Sequence, residues 1–207
     1  STYATYDVQY GNVRRPNHWN TSWDQARFES VAHRFADLSE RNYGVSILND
    51  CKYGHDIKDN VIRISLLRSG LQPDHLQDQG MHTFTYALLP HGGDFVEGHT
   101  VQEACALNDP MKVSAGKTKV DFESFVTFDN EQVEIDAVKK SEDGNYIVLR
   151  FHEFAGSSQN VTVKPGFEYS CWMEGDLRER PLTEAVTTGE MKLHLHPYEI
   201  KTILISL

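Results

Sequence analysis

Residues 132–153 read QVEIDAVKKSEDGNYIVLRFHE. On both sides of SEDGN, at 141–145, short runs rich in β-branched and aromatic residues repeat with a period of two, the mark of a strand with one buried face. SEDGN is made of residues that tolerate a turn, so the stretch reads as two strands joined in a hairpin. The same pattern extends along the chain in TYDVQYGNV, RFESVAHRFADLS, YGVSILND, NVIRISLLRS, HTFTYALLP, NVTVK, FEYSCWME, MKLHLH and IKTILISL. Turn residues punctuate it at KDN (58–60), AGSSQN (155–160), KPG (164–166) and TTGE (187–190), each implying a hairpin or meander. The sequence therefore predicts an all-β chain. One helix is expected within VEGHTVQEACALNDPM (96–111), ended by Pro110; RFESVAHRF is ambiguous and is read as strand.

The segment NDPMKVSAGKTKVD (108–121) breaks the strand pattern with Pro, Gly and Lys, the composition of a connector. Two domains are expected, residues 1–115 and 116–207. Closely spaced short strands in the second suit a small β-sandwich. The first has fewer strands and longer polar loops, as in part of a larger sheet system whose edges need cover.

Composition excludes several functions. A formal charge of −10 on 207 residues, with scattered basic side chains, argues against nucleic acid as a partner. No run reaches the roughly 20 apolar residues of a membrane span, and the N-terminus has no secretory pattern. Cys51, Cys105 and Cys171 are odd in number and far apart, which fits free thiols in a reducing compartment better than a zinc or disulfide framework. His194 and His196 alternate on one strand face, but no acid or cysteine at ligand spacing accompanies them, and no metal is expected there.

The blocks RRPNHWNTSWDQARFE, ADLSERNYGVSILNDCKYGHDIKDNVIRISLLRS, DQGMHTFTYALLPH and PYEIKTILISL resemble, in order, the C-terminal region of glycoside hydrolase family 38 α-mannosidases of the cytosolic, vacuolar and bacterial branch. The resemblance implies a fold of the end of a large supersandwich, galactose-mutarotase-like, followed by a small immunoglobulin-like sandwich. It also implies a much longer enzyme that removes terminal α-linked mannose from glycans with retention, in the cytoplasm. In that family two carboxyl groups and a divalent metal, zinc or similar, carry the chemistry from an N-terminal catalytic domain, the implied partner of this chain. Catalytic residues and metal ligands are not assigned here; the acidic pair Asp56 and Asp59 reads as a solvated turn. An uncovered domain face would favour a homo-oligomer.

Within the resemblance, NDCKYG and RSGLQPDHLQDQG match loops that help to wall the sugar pocket. Asn49, Asp50, Lys52, Tyr53, Arg68, Asp78 and Gln79 are the candidate substrate-binding residues: they offer donors and acceptors for hydroxyls and a ring for the apolar sugar face. The other readings are interdomain packing and a solvated turn. HWNTSWDQARFE, with Trp19, Trp23, Arg14, Arg15, Asp24 and Arg27, reads as an interdomain seam rather than a sugar platform, with Asp24 pairing Arg27. Phe125, Phe128, Phe151, Tyr169 and Trp172 are expected in the core. The alternative function is a free-standing carbohydrate-binding β-sandwich, since fold alone does not fix function.

Overall fold

A computed structural model describes residues 1–117, 124–187 and 189–207. Residues 118–121 of the connector and Thr188 of the TTGE turn lie outside the described residues. The chain divides into two units, Ser1–Val113 and Ser114–Leu207.

The first unit contains β1 (Tyr3–Val8), β2 (Gly11–Pro16), α1 (Ser22–Ala26), β3 (Ser30–Val31), β4 (Phe35–Ser39), β5 (Gly44–Asn49), β6 (Gly54–Lys58), β7 (Val61–Ser65), β8 (Tyr86–His91) and α2 (Thr100–Asn108). Its main sheet is antiparallel in the order β2-β1-β4-β5-β8, and a smaller sheet runs β3-β6-β7. Ala4, Tyr6 and Ala36 of the main sheet share a core with Ile57 of β6. On the opposite face, Phe35 stacks on Phe95 at 5.9 Å, and α2 packs on β4 and β5 with Val101 and Ala104 buried. Polar groups on this face are paired: His91 Nε2 lies 2.9 Å from Asp37 Oδ1, which also accepts from Ser46. Gly44 makes room for that histidine, because a Cβ there would lie 2.3 Å from His91 Cε1. Leu38, Val45, Ile47, Ile62 and Leu88 line an open cleft of about 710 Å³ together with polar residues such as His18, Glu40 and Asp59.

His55 is fully buried on β6. Its Nδ1 meets the Tyr53 carbonyl at 3.3 Å, and its Nε2 finds no partner among the described residues. Burial pushes its pKa below 6.5. The unfolded chain then binds the proton more readily, so stability is lost as pH falls through about 6.5 toward the folded value. Urea titrations from pH 7.5 to 5 should show this decline, with a slope of up to about 1.4 kcal/mol per pH unit from this one group. In His55→Leu that part of the slope should vanish; an unchanged slope contradicts the assignment.

The second unit contains β9 (Val126–Phe128), β10 (Val133–Lys140), β11 (Ile147–Glu153), β12 (Gln159–Pro165), β13 (Cys171–Gly175), β14 (Met191–Leu195) and β15 (Ile200–Ser206). They form two antiparallel sheets, β10-β11-β15-β13 and β14-β12-β9. Leu149, Phe151, Trp172, Ile203 and Ile205 from the first meet Val161, Val163, Met191, Leu193 and Leu195 from the second. Burying each such side chain is worth about 1.5–3 kcal/mol. Phe128 and Tyr169 pack against this core, whereas Phe125 stays partly exposed and pairs with Phe167 at 4.6 Å.

The all-β reading holds in every sheet, and the SEDGN hairpin joins β10 to β11 with Gly144 at a φ of 80°. Several finer readings differ. TYDVQYGNV is not one strand but the β1–β2 hairpin, closed by Tyr10 at a φ of 60°. RFESVAHRFADLS breaks into β3 and β4, because the Asp7 carboxylate takes the Arg34 amide at 2.9 Å and pulls the chain out of the ladder. The turns AGSSQN and KPG pass between the two sheets rather than closing hairpins. The helix in 96–111 is α2, whose last residue stands two before Pro110. α1 was not expected. Its signature is a capping box, with the Thr21 side chain accepting from Asp24 N and Asp24 accepting from Thr21 N.

Candidate functional site

β5 and β7 run out into two loops, 50–53 and 66–85, and residues from both line one cavity of about 540 Å³. Among the seven residues singled out in the sequence, Lys52, Tyr53, Arg68 and Asp78 are brought together there. Lys52 Nζ stands 5.0 Å from the Phe84 ring centroid, and the half-exposed Tyr53 ring stacks on His33 at 5.0 Å. Asp78 takes the Ser69 amide at 3.1 Å, closing the second loop on itself. His82 also lines the cavity, and its Nε2 meets the Asp78 carbonyl at 2.9 Å.

The other three do not line it; they build the loops. Asn49 is buried: its amide donates to the His33 carbonyl at 2.8 Å, and its Oδ1 accepts the Lys52 amide at 2.6 Å. That bond fixes the turn from which Lys52 and Tyr53 project. Asp50 exchanges two bonds with Thr85, its amide donating to the Thr85 carbonyl and its carboxylate accepting the Thr85 amide at 2.9 Å. The Cys51 thiol, then the Thr85 amide, hold the Asp50 carboxyl below the usual carboxylate range, and Asp50 in turn raises the Cys51 thiol. Gln79 donates to the His75 carbonyl at 3.2 Å within its own loop.

Glu29 is the residue sequence reasoning missed. Its carboxylate accepts from Ser65 and forms an ion pair with Arg68, holding a side chain that is otherwise mostly exposed. Gly54 permits the approach, since a Cβ there would lie 2.7 Å from Glu29 Oε1. The cavity thus offers the Lys52 and Arg68 cations, the Glu29 and Asp78 carboxylates, an imidazole and a phenol. Glu29 is engaged by Arg68 and Ser65, and Asp78 by an amide, so neither stands as an unengaged acid. The arrangement offers charged and neutral hydrogen-bonding groups and one aromatic ring to a polar ligand.

Profiles of known families match the chain twice: residues 1–76 match the "Glycosyl hydrolases family 38 C-terminal domain", and residues 132–203 the "Glycosyl hydrolases family 38 C-terminal beta sandwich domain". The chain belongs to glycoside hydrolase family 38, as part of its C-terminal region. Human alpha-mannosidase 2C1 is 37% identical over 215 residues, covering 100% of this chain and 21% of the human protein. Alpha-mannosidase G of Dictyostelium discoideum is 42% identical over 161 residues, which are 75% of this chain and 15% of that protein. The chain therefore spans about a fifth or less of the curated relatives it matches. A crystal structure of an alpha-mannosidase from Enterococcus faecalis V583 superposes with a TM-score of 0.79 at 24% identity, over 99% of this chain and 24% of that one, a likeness that concerns the fold.

Within this family-38 region the block HWNTSWDQARFE is now placed. The Asp24 carboxylate caps α1 through Thr21 and lies 3.6 Å from His18 Nδ1, so its close partners are these rather than Arg27. Arg27 only helps Thr21 and His18 to lower the Asp24 pKa. Among the described residues no three His, Cys, Asp or Glu side chains gather as metal ligands, so the divalent ion that family resemblance implies has no fitting site among them. No helix among them is long and apolar enough to cross a membrane.

Proposed function

We propose that this chain is the C-terminal accessory β-region of a retaining α-mannosidase that removes terminal α-linked mannose from glycans in the cytoplasm. In this reading residues 1–115 end the large β-sandwich and residues 116–207 form the small one. The catalytic carboxylates and the divalent metal belong to an N-terminal catalytic domain of the same polypeptide. The loops carrying Lys52, Tyr53, Arg68 and Asp78 wall the sugar pocket, with Asn49, Asp50 and Gln79 setting their shape. The observation that carries this is the convergence of those four side chains, from loops separated by β6 and β7, on one cavity. A domain face left uncovered in the isolated chain favours its association with copies of itself.

Purified full-length protein is expected to hydrolyse an aryl α-mannoside with retained anomeric configuration, read by proton NMR. The 207-residue chain is expected to show no turnover, with or without zinc or cobalt. Turnover by that chain alone contradicts the reading. Micromolar mannoside binding by the chain alone, with an inactive full-length protein, favours the free-standing carbohydrate-binding module.

A further inference from the structure

We infer that Trp23, Arg27 and Phe28 form a docking ledge for the part of a longer family-38 polypeptide that lies outside this chain. The inference rests on the chain being one region of such a polypeptide, not on any role in catalysis.

α1 has five residues and buries none of them. Helices this short are not stable by themselves, yet this one is pinned by the capping box and by the approach of His18 to Asp24. What the pinned helix presents is Trp23, 77% exposed, followed by Phe28, 55% exposed. Arg27 is the C-cap of α1, and its amide donates to the Trp23 carbonyl at 3.3 Å, which holds the two residues one turn apart. Arg27 and Phe28 line a small crevice with Trp19.

Neighbouring rings are treated differently. Lys58 Nζ lies 4.0 Å from the Trp19 centroid, and Arg15 and Arg14 stand 4.8 and 5.6 Å from the Tyr6 and Tyr3 centroids. Each of those rings has a cation of its own. Among the described residues Trp23 has no such cation, and the Arg27 guanidinium forms no salt bridge. A large ring and a guanidinium left open one turn apart make the composition that anchors protein interfaces. The fitting partner surface is an apolar pocket for the indole with a carboxylate at its rim for Arg27. The relatives supply the occupant, for about four fifths of the human protein lies outside the matched region.

Oxidation of tryptophan by N-bromosuccinimide, mapped by mass spectrometry, tests this in the 207-residue chain and in the full-length protein. Trp172, buried in the second unit, reports folding in both. Trp23 is expected to react rapidly in the short chain and at least about tenfold more slowly in the full-length protein. Equal rates overturn the inference. So does protection of the short chain that grows with its own concentration, which assigns the ledge to a second copy. Protection that appears only on adding an oligomannoside also overturns it, and assigns the ledge to a glycan. Inactivity of the full-length protein would count against the proposed function without altering these rates.

Discussion

Arg68→Ala in the full-length protein is expected to lower kcat/KM for an α-mannoside at least about tenfold, with little change in melting temperature. One charged hydrogen bond to a bound sugar is worth roughly 1.5–3 kcal/mol, which converts to a factor of about ten or more. The stability cost is small because the Arg68 side chain is 70% exposed and its pair with Glu29 is a surface pair. Glu29→Gln is expected to act in the same direction but more weakly, by loosening Arg68. Asp50→Ala should behave differently, since its carboxylate holds the Thr85 amide and does not face the cavity. It should lower stability more than it changes kinetics in the folded fraction. Steady-state kinetics and thermal melts on the three variants separate these outcomes; unchanged kcat/KM in Arg68→Ala contradicts a role in the sugar site.

The largest loss of stability is expected at Glu153, a fully buried carboxylate in the second unit. It accepts the Ala155 amide at 2.8 Å, the Gly156 amide at 2.9 Å and the Tyr198 amide at 3.0 Å. One side chain thereby ties the turn after β11 to the turn before β15. Glu153→Ala leaves three part-buried amide donors without this acceptor, each costing up to about 1–3 kcal/mol. A total loss of about 3–5 kcal/mol is expected in urea denaturation, since part of the turn will reopen to water. Glu153→Gln keeps the shape but not the charge, and about half that loss is expected. A change below about 1 kcal/mol in Glu153→Ala contradicts the clamp.

Much of the fold is legible because side chains alternate between the two faces of each strand. Phe151, Leu149 and Ile147 alternate with His152, Arg150 and Val148, and the sheet sorts them to its two sides. The turns were legible only in part. The residues of AGSSQN and KPG show that the chain reverses, but not which sheet receives the next strand, a choice made by distant pairing of β12 with β14 and β9. α1 escaped notice because five residues carry no apolar period, and its capping box, Thr21 to Asp24, was the one local signal.

The candidate site shows the same division. Lys52, Tyr53, Arg68 and Asp78 could be picked because the family resemblance points to their loops and their side chains carry suitable chemistry. Those that hold the turn could not be told from them: the partners of Asn49 and Asp50 are backbone groups of His33 and Thr85, remote in sequence. Glu29 is not legible in the sequence for a related reason. It stands in the block read as a seam, and only the fold brings it to Arg68 across 39 residues.

The most direct test is a crystal structure of the full-length protein with a non-hydrolysable α-mannoside bound. The account predicts Arg68 or Lys52 within about 3.2 Å of a sugar hydroxyl, directly or through one water, and the Tyr53 ring beside the pyranose. A sugar held without any of Lys52, Tyr53, Arg68 or Asp78 in reach would contradict it.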